Sequence, residues 1–375
     1  MSLPYSKVLV TGGAGFIGSF TVDALLKRGY KVVAFDNFEP QVHKVHLPAY
    51  LNKDAEFISG DVRDADAVKQ ALSGVEAVMH LAAMVGVGQS MFQVKRYVDV
   101  NSGGTANLLD ALANTSHGVK KIVVASSMSI YGEGRYQTKD GRNVEASERT
   151  EADLASRKWD IHDPKSGERL IPKPTDEEKP LRCASIYAIT KKNQEEQVLV
   201  FGRAHGIPAV ALRYFNTYGP RQSLKNPYTG VAAISLNRIK LGEPLYIFED
   251  GNQQRDFVSV HDIVQANLLA LEKKEADHDV FNVGSGSPIS IKALGETVLK
   301  AYGKAVPIEV TAKYRKGDIR HCYADISKIR TKLGYEPRVN LQDGLRELIE
   351  ASHGESVEQN PDFRMGYLEK RNLVV

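Results

Sequence analysis

An α/β fold is predicted by this 375-residue sequence, with a doubly wound parallel sheet followed by a smaller C-terminal α/β lobe. Over the first half of the chain, short strand signals alternate with helical patterns. The strand signals are apolar throughout, as expected of parallel strands that helices cover on both faces. After Arg213, Gly and Pro residues divide the chain into shorter elements, which predicts the second lobe.

The predicted elements follow one another in a regular order. Strands are predicted at residues 7–11, 31–35, 55–59, 77–80, 121–125 and 208–212, and helices at 15–29, 64–72, 98–113 and 185–205. Residues 133–180, which we call the excursion, interrupt this alternation with 12 acidic and 10 basic residues and four prolines. A stretch this polar is predicted to lie on the surface, between two core elements.

Composition excludes several classes of protein. Apolar residues make up 42% of the chain and charged residues 25%, which rules out a wholly disordered protein. With 49 basic and 46 acidic residues, the charge is too balanced for a protein that coats nucleic acid. No apolar stretch is long enough to span a membrane, and the N-terminus lacks the apolar segment of a signal peptide. Two cysteines cannot build a disulfide framework and the histidines are scattered, so we expect a cytoplasmic protein without a metal site.

A glycine-rich loop joins the first strand to the first helix. Gly12, Gly15 and Gly18 are spaced as Gly-x-x-Gly-x-x-Gly, and Phe16 and Ile17 lie within this motif. The first glycine permits a tight turn, the second lets a pyrophosphate approach the backbone, and the third lets helix and strand pack closely. The helix N-terminus supplies free N–H groups for the phosphates. Because the motif has the required strand–loop–helix context, it predicts a Rossmann-type dinucleotide site.

The ends of the next strands offer further contacts for a dinucleotide. Asp36 ends the second strand 18 residues after Gly18, where its carboxylate can accept hydrogen bonds from both ribose hydroxyls. It would repel a 2′-phosphate, which favours NAD over NADP. Asn37 and the pair Asp61-Val62 are assigned to the adenosine, with a helix cap as the alternative role of Asp61. The stretch after the fourth strand is expected to admit a flat ligand: Leu81, Ala82 and Ala83.

A candidate catalytic group follows from one helix and one strand end. Tyr187 and Lys191 are four residues apart, which places them on the same face of the predicted helix. The lysine ammonium is expected to lower the pKa of the phenol, so that Tyr187 can take a proton from a substrate hydroxyl near neutral pH. Ser127 ends the fifth strand, and its hydroxyl is expected to face the same crevice. Ala125, two residues before it, is assigned to the cofactor.

Together these motifs resemble the extended short-chain dehydrogenase/reductases, in the class of nucleotide-sugar epimerases and dehydratases. The resemblance extends from about residue 7 to about residue 351. It implies bound NAD, a nucleotide-sugar substrate and a homodimer formed through two helices of each subunit. It also implies that Ser127, Tyr187 and Lys191 are catalytic, that the last two also contact NAD, and that Asn101 is the structural asparagine beside them, which we count with the cofactor residues.

The same resemblance assigns residues of the second half. Tyr214, in Arg-Tyr-Phe-Asn, would meet the nicotinamide, and Asn216 would meet the sugar diphosphate. Arginines suit a diphosphate because a guanidinium binds it bidentately. The other implied substrate residues are Ser127, Ser129, Tyr187, Arg255, Arg315, Asp318 and Cys322. Cys322, four residues after Asp318, would border the sugar pocket, with a buried core position as its alternative.

These assignments divide the chain into three parts. Residues 1–212, with about 256–283, are predicted to bind NAD, and about 213–255 with 284–354 to bind the nucleotide sugar. The tail, 355–375, has no predicted role.

The residues after Ser127 discriminate among the reactions of this class. Dehydratases and decarboxylases resembling it carry a glutamate where Ser129 stands, and Met128 cannot move a proton. The pattern therefore predicts a 4-epimerase that passes through a 4-keto sugar. Residues 213–230, 248–251 and 314–325 most resemble the branch that converts dTDP-L-rhamnose to dTDP-6-deoxy-L-talose.

Several alternatives remain open. A UDP-glucose or UDP-N-acetylhexosamine 4-epimerase is the first, although UDP-glucose enzymes usually carry a lysine where Val85 stands. A dehydratase, a reductase and a catalytically silent NAD-binding scaffold are the others.

Overall fold

The computed structural model describes residues 3–43, 48–226, 228–315, 317–355, 357 and 374. The strands are β1 (Lys7–Thr11), β2 (Lys31–Asp36), β3 (Glu56–Ser59), β4 (Ala77–His80), β5 (Lys121–Ser127), β6 (Arg135–Gln137), β7 (Asn143–Val144), β8 (Ile171–Lys173), β9 (Ala209–Tyr214), β10 (Asn216–Tyr218), β11 (Leu245–Ile247), β12 (Gln254–Ser259), β13 (Asp279–Val283), β14 (Pro288–Ser290), β15 (Ile308–Val310) and β16 (His321–Cys322).

The helices are α1 (Phe16–Lys27), α2 (Ala65–Ala71), α3 (Val87–Ser90), α4 (Val94–Tyr97), α5 (Gly104–Asn114), α6 (Glu151–Ala155), α7 (Ile186–His205), α8 (Val231–Leu241), α9 (Val260–Glu272), α10 (Ile291–Tyr302), α11 (Ser327–Leu333) and α12 (Leu341–Ala351). A π-helical turn spans Val98–Gly103, and 3₁₀ turns span Met128–Tyr131 and Lys274–Ala276.

A seven-stranded sheet forms the centre of the molecule, in the order β13-β9-β5-β4-β1-β2-β3. All its neighbouring strands are parallel. The strand order runs outward from β1 in both directions, so the predicted doubly wound parallel sheet is confirmed.

Each face of this sheet buries its own apolar core. Val8 and Val10 point to one face, where they pack with side chains of α1 and α9, and Leu9 points to the other, where it packs with side chains of α2, α5 and α7. The alternation follows from the two-residue period of a strand. Because helices cover both faces, the carboxyl ends of the strands remain as the open edge of the sheet.

The second half of the chain builds smaller layers beside this sheet. β10, β12, β14 and β16 form one small sheet, β11 and β15 another, and an apolar cluster joins α8, α10 and α12. Within the second half, α9 and β13 return to the central sheet. The boundary between a cofactor domain and a substrate lobe stays a prediction, and the tail beyond Glu355 lies outside the described residues except for Val357 and Val374.

The excursion 133–180 differs from its prediction. It forms a three-stranded antiparallel sheet, β7-β6-β8, with a small apolar core of its own. Several of its charged side chains are buried rather than exposed, among them Glu133, Arg149 and Lys179. They are buried because each finds an ion-pair partner, which composition alone does not reveal.

A buried cation joins the excursion to the second half of the chain. The side chain of Arg320 is 1% exposed and forms ion pairs with Asp160 at 3.0 Å, Glu249 at 3.0 Å and Asp250 at 2.6 Å. These carboxylates hold the pKa of the guanidinium above its usual value, although burial opposes them. Removal of one partner from such a network leaves the other charges buried without compensation.

We therefore expect Arg320→Met to lower the free energy of unfolding by about 3–5 kcal/mol. Urea denaturation followed by circular dichroism measures this difference. Arg346→Met is the control, because Arg346 and its partner Asp343 are both more than half exposed, and it should change stability by less than about 0.5 kcal/mol. Equal unfolding midpoints for Arg320→Met and the wild type would contradict the assigned role of the network.

Candidate active site

The glycine loop lies at the carboxyl end of β1, and its backbone requires glycine at positions 12 and 18. Gly12 has a φ of +70°, and a Cβ there would lie 3.0 Å from the backbone of Ala82. A Cβ at Gly18 would lie 1.9 Å from the carbonyl oxygen of Gly12, whereas one at Gly15 would lie 3.2 Å from it. α1 therefore packs directly on the loop. Its first turn carries no acidic residue, so the positive end of the helix is open to an anion.

Asp36 borders this loop at the end of β2. Its carboxylate accepts hydrogen bonds from the backbone N–H of Ala14 at 3.0 Å and of Phe38 at 2.8 Å. A carboxylate has lone pairs for further donors, so Asp36 can still bind ligand hydroxyls. The geometry places it where the sequence predicts.

Asp61 and Asn37 connect the ends of β2 and β3. The amide of Asn37 donates to Asp61 Oδ2 at 2.9 Å, and Arg63 forms a bidentate pair with Asp61. The hydrogen bond from Arg63 is the largest cause that lowers the pKa of Asp61 to about 2. Asp64, rather than Asp61, caps α2. Val62 is buried against Gly104.

The stretch after β4 lies beside the glycine loop. Leu81, Ala82 and Ala83 are partly exposed, and the N–H of Ala82 donates to the hydroxyl of Thr11 at 3.2 Å. The preceding His80 is fully buried, with one ring nitrogen 2.8 Å from Thr11 and the other 2.9 Å from Thr105. Both ring nitrogens thus have protein partners, which gives His80 a structural role.

The structure brings the three predicted catalytic residues together. Ser127 is the last residue of β5, and its side chain lies close enough to the phenol of Tyr187 on α7 to lower the phenol pKa. Lys191 lies one turn further along this helix, and its ammonium donates to Gln194 Oε1 at 2.7 Å. The exposed fractions of Ser127, Tyr187 and Lys191 are 8%, 9% and 3%. Next to Ser127, Ala125 is buried in the core, and the hydroxyl of Ser129 donates to Ser127 Oγ at 3.0 Å.

Burial dominates the proton affinities of this group. It raises the pKa of Tyr187 to about 12, an effect that the hydrogen bond with Ser127 reduces. It lowers the pKa of Lys191 to about 7, while the carboxylate of Glu195 opposes this change. The expectation of a lowered phenol pKa is therefore wrong. The loss of water disfavours both charged forms more than their neighbours favour them.

Two residues near Lys191 have roles that the sequence analysis did not assign to them. Gln194, which sequence reasoning missed, joins Lys191 to Thr105; its spacing of three residues from Lys191 is the only signal in the sequence. Asn101 is fully buried, and its side-chain amide bonds the backbone of Met84 and the hydroxyl of Thr190. These contacts use the amide within the protein, so Asn101 is structural and its place among the cofactor residues is corrected.

A π-helical turn accounts for the position of Asn101. The sequence predicts an unbroken α-helix over 98–113, but residues Val98–Gly103 are π-helical and α5 begins at Gly104. Such turns widen a helix locally and are frequent at functional sites. Here the turn carries the amide that holds Met84 and Thr190 together.

Within the Arg-Tyr-Phe-Asn segment, the side chains of Tyr214 and Asn216 lie in different surroundings. Tyr214 is buried in the core, where its hydroxyl donates to Asn267 on α9 at 2.5 Å. Its side chain therefore belongs to the core, and the predicted contact of Tyr214 with the nicotinamide stays a prediction. Asn216 Oδ1 is covered and has no hydrogen-bond partner among the described residues. That oxygen is available to a ligand donor.

The candidate diphosphate residues come together at β12 and β16. Arg255 donates to Asp318 Oδ1 at 3.0 Å. Arg315 is exposed, with its guanidinium 4.4 Å from the centre of the Phe248 ring.

Cys322 is 1% exposed, and its sulfur lies 3.8 Å from the hydroxyl of Thr175. Its burial raises the thiol pKa to about 12. The structure thus places Cys322 in the core, which favours the alternative role over the sugar pocket.

Two further observations concern metal sites and membrane-spanning helices. Within the described ranges, no group of three or more His, Cys, Asp and Glu residues is arranged to hold a metal ion. In the same part of the chain, no helix combines the length and apolar character that a bilayer crossing requires.

Comparison with known proteins places the chain in a family. The sequence model of the NAD-dependent epimerase/dehydratase family matches residues 8–153, and that of GDP-mannose 4,6-dehydratase matches residues 167–348. The dTDP-L-rhamnose 4-epimerase of Burkholderia thailandensis is 37% identical over 91% of this chain and 93% of its own.

Solved structures agree with the sequence comparison. The Thermus thermophilus UDP-glucose 4-epimerase in complex with NAD is 31% identical, with a TM-score of 0.73 over 93% of this chain and 100% of its own. The UDP-N-acetylglucosamine 4-epimerase of Methanobrevibacter ruminantium, in complex with UDP-N-acetylmuramic acid, is 30% identical, with a TM-score of 0.75 over 94% of this chain and 99% of its own. With its glycine loop, its Ser-Tyr-Lys group and these relatives, the chain belongs to the NAD-dependent epimerase/dehydratase family and is an isomerase of the nucleotide-sugar epimerase class.

Proposed function

We propose that this enzyme inverts C4 of dTDP-L-rhamnose and forms dTDP-6-deoxy-L-talose through a 4-keto sugar. The observation that carries the proposal is the contact of Ser127 with Tyr187, beside Ser129 where a dehydratase needs a carboxylate. The Burkholderia thailandensis dTDP-L-rhamnose 4-epimerase, 37% identical, supports this choice of sugar. Bound NAD would supply reversible hydride exchange with C4.

The residues at the carboxyl edge of the sheet fit such a cofactor. Gly12, Gly15 and Gly18 carry no side chain that would keep a ligand from the loop backbone, and they would take the pyrophosphate at the start of α1, beside Phe16 and Ile17. Asp36 would accept from the adenosine ribose, with Asn37, Asp61 and Val62 near the adenine. The remaining cofactor contacts are proposed for Leu81, Ala82, Ala83, Tyr187 and Lys191.

Tyr187 is the proposed acid and base at the C4 oxygen. Ser127 would hold the sugar hydroxyl beside the phenol, because its own hydroxyl is already close to Tyr187. Lys191 would stabilise the phenolate, and in a site this dry each nearby positive charge has a large effect on the phenol pKa. The proton would move between Tyr187 and the sugar without a second carboxylate.

The substrate diphosphate is assigned to Asn216, Arg255 and Arg315, with Asp318 orienting Arg255. A diphosphate would be met by donors of Asn216, such as its side-chain Nδ2, whereas its unpartnered side-chain oxygen can accept from a hydroxyl of the sugar. A guanidinium offers paired donors that match phosphate oxygens.

Two other reactions have an observation in their favour. The match of residues 167–348 to GDP-mannose 4,6-dehydratase favours dehydration, but Ser129 has only a hydroxyl to offer at the required position. The UDP-sugar epimerases among the solved structures favour a UDP-hexose. Neither alternative changes the roles of Ser127, Tyr187 and Lys191.

We also propose a cytoplasmic homodimer. Both cysteines, Cys183 and Cys322, are free thiols, which suits a reducing compartment. Exposed apolar side chains lie on elements that pack side by side: Val94 and Val98 near α4, and Ile189 and Val200 on α7. Such a surface is typical of a protein–protein contact.

We expect dTDP-L-rhamnose incubated with the enzyme in deuterated water to form its C4 epimer with no deuterium at C5 or C6. The returned hydride comes from the substrate, and Ser129 has no carboxylate with which to exchange the C5 proton. NMR spectroscopy of the product measures both outcomes, with UDP-glucose and UDP-N-acetylglucosamine in parallel. Deuterium at C5 of the product formed from UDP-glucose would indicate a dehydratase, since dTDP-L-rhamnose has no C6 hydroxyl to lose, and faster epimerisation of a UDP sugar would refute the substrate but leave the epimerase intact.

We expect Tyr187→Phe to reduce kcat by about 10²–10⁴-fold, the usual cost of losing a general base. Binding of substrate and NAD should change little, because the ring still packs. Tyr97→Phe is the control, since Tyr97 packs edge-on against Tyr187 but donates to Gln89; it should retain most activity. Steady-state kinetics and calorimetry separate the two effects, and a Tyr187→Phe enzyme with more than about a tenth of wild-type activity would overturn the assignment.

We expect Asp36→Ala combined with Asn37→Arg to shift binding from NAD towards NADP. The change removes the repulsion of a 2′-phosphate and adds a guanidinium beside it. Isothermal titration of both dinucleotides gives the ratio of their Kd values. Asp66→Ala serves as the control, because it removes a carboxylate that is 95% exposed and should leave the ratio unchanged. A wild-type preference for NADP would disprove the role of Asp36.

A further inference from the structure

The guanidinium of Arg255 takes its position from one short segment. Besides Asp318 Oδ1 at 3.0 Å, it donates to the backbone carbonyl oxygens of Ile319 at 2.6 Å and Arg320 at 3.0 Å. Its other hydrogen bond, to the carbonyl oxygen of Gln254, lies within its own strand. Because three of its acceptors belong to residues 318–320, a displacement of that segment displaces the guanidinium.

The excursion holds this segment in turn. Arg149 donates from Nη2 to the carbonyl oxygen of Asp318 at 2.9 Å. Glu133 accepts from the backbone N–H of Arg320 at 2.6 Å and of His321 at 3.2 Å. Arg149 and Glu133 both belong to the excursion, whereas the residues that they bind lie 169 to 188 positions later in the chain. No sequence motif connects the two.

Arg149 is itself fixed on its other side. Its Nη1 pairs with Glu249 at 2.8 Å and donates to the carbonyl oxygen of Trp159 at 3.3 Å. Glu249 also pairs with Arg320 at 3.0 Å. The side chains of Arg149 and Glu249 are 4% and 1% exposed. Charged hydrogen bonds at such depth define positions tightly, since no water can replace a lost partner.

We propose that Arg149 and Glu133 are positioning residues for the nucleotide diphosphate, acting through residues 318–320 on Arg255. The excursion is then part of the substrate site and sets how strongly a diphosphate binds. This inference rests on the proposed role of Arg255. It assigns no contact between Arg149 or Glu133 and the substrate.

The test is the binding of dTDP to Arg149→Gln and Glu133→Gln by isothermal titration. We expect its Kd to rise about tenfold or more, as for a displaced charged hydrogen bond. The Kd of NAD should stay unchanged, because its diphosphate is held by the glycine loop. The double variant Arg149→Gln/Arg255→Gln should bind dTDP about as weakly as Arg255→Gln alone, because Arg149 acts only through Arg255.

Arg142→Gln is the matched control. Arg142 also lies in the excursion and pairs with the buried Asp163 at 2.6 Å, but it has no bond to residues 318–321 among those described. It should leave the Kd of dTDP unchanged, and thermal unfolding of every variant reports any general loss of stability. If Arg149→Gln does not fold, Glu133→Gln decides the question, since it replaces a carboxylate with an amide of equal size.

The outcomes separate this inference from the proposed function. Unchanged dTDP binding by Arg255→Gln would refute the diphosphate site itself. Weakened binding by Arg255→Gln, with normal binding by Arg149→Gln and Glu133→Gln, would overturn the positioning role alone. Equal losses for NAD and dTDP, or additive losses in the double variant, would also overturn it, because both would mean a general structural effect.

Discussion

A buried chain of hydrogen bonds ties the catalytic helix to the centre of the sheet, and the arrangement of the site depends on it. Lys191 donates to Gln194, Gln194 donates to Thr105, and Thr105 lies 2.9 Å from His80. His80 in turn lies 2.8 Å from Thr11, the residue before the glycine loop. The chain therefore connects the helix of Tyr187 to the predicted phosphate site, and every link between them is shielded from water.

This arrangement requires a neutral His80. Burial, and then the nearby Lys191, lower the pKa of His80 to about 3. A charged imidazole here would place a second cation beside a lysine that burial already disfavours. Neutral imidazole can donate through one nitrogen and accept through the other, so it continues the chain between two hydroxyls. The histidine thus serves the site through its hydrogen bonds rather than through proton transfer.

Local motifs predict most of the fold and the meeting of the main side chains. Gly12, Asp36, Ser127 and Tyr187 come together because parallel strands end at one edge of a sheet, and the strands themselves are recognisable as apolar runs. The direction of a side chain within a motif is less predictable. Tyr214 turns into the core and Asn101 lies in a π-helical turn, and both outcomes depend on neighbours far away in sequence, Asn267 and Thr190. The bond from Arg149 to Asp318 is likewise absent from any local pattern.

Burial also explains why the proton affinities could not be read from spacing. Spacing places Lys191 on the same face as Tyr187, but it does not tell how much water the folded chain removes from both. In the structure, that loss raises the pKa of the phenol to about 12 and lowers that of the ammonium to about 7. Both residues are therefore driven towards their neutral forms, and any positive charge added beside them favours the phenolate strongly because little solvent screens it. The same dryness that raises the pKa of Tyr187 makes its basicity sensitive to any charge in the neighbouring cofactor site.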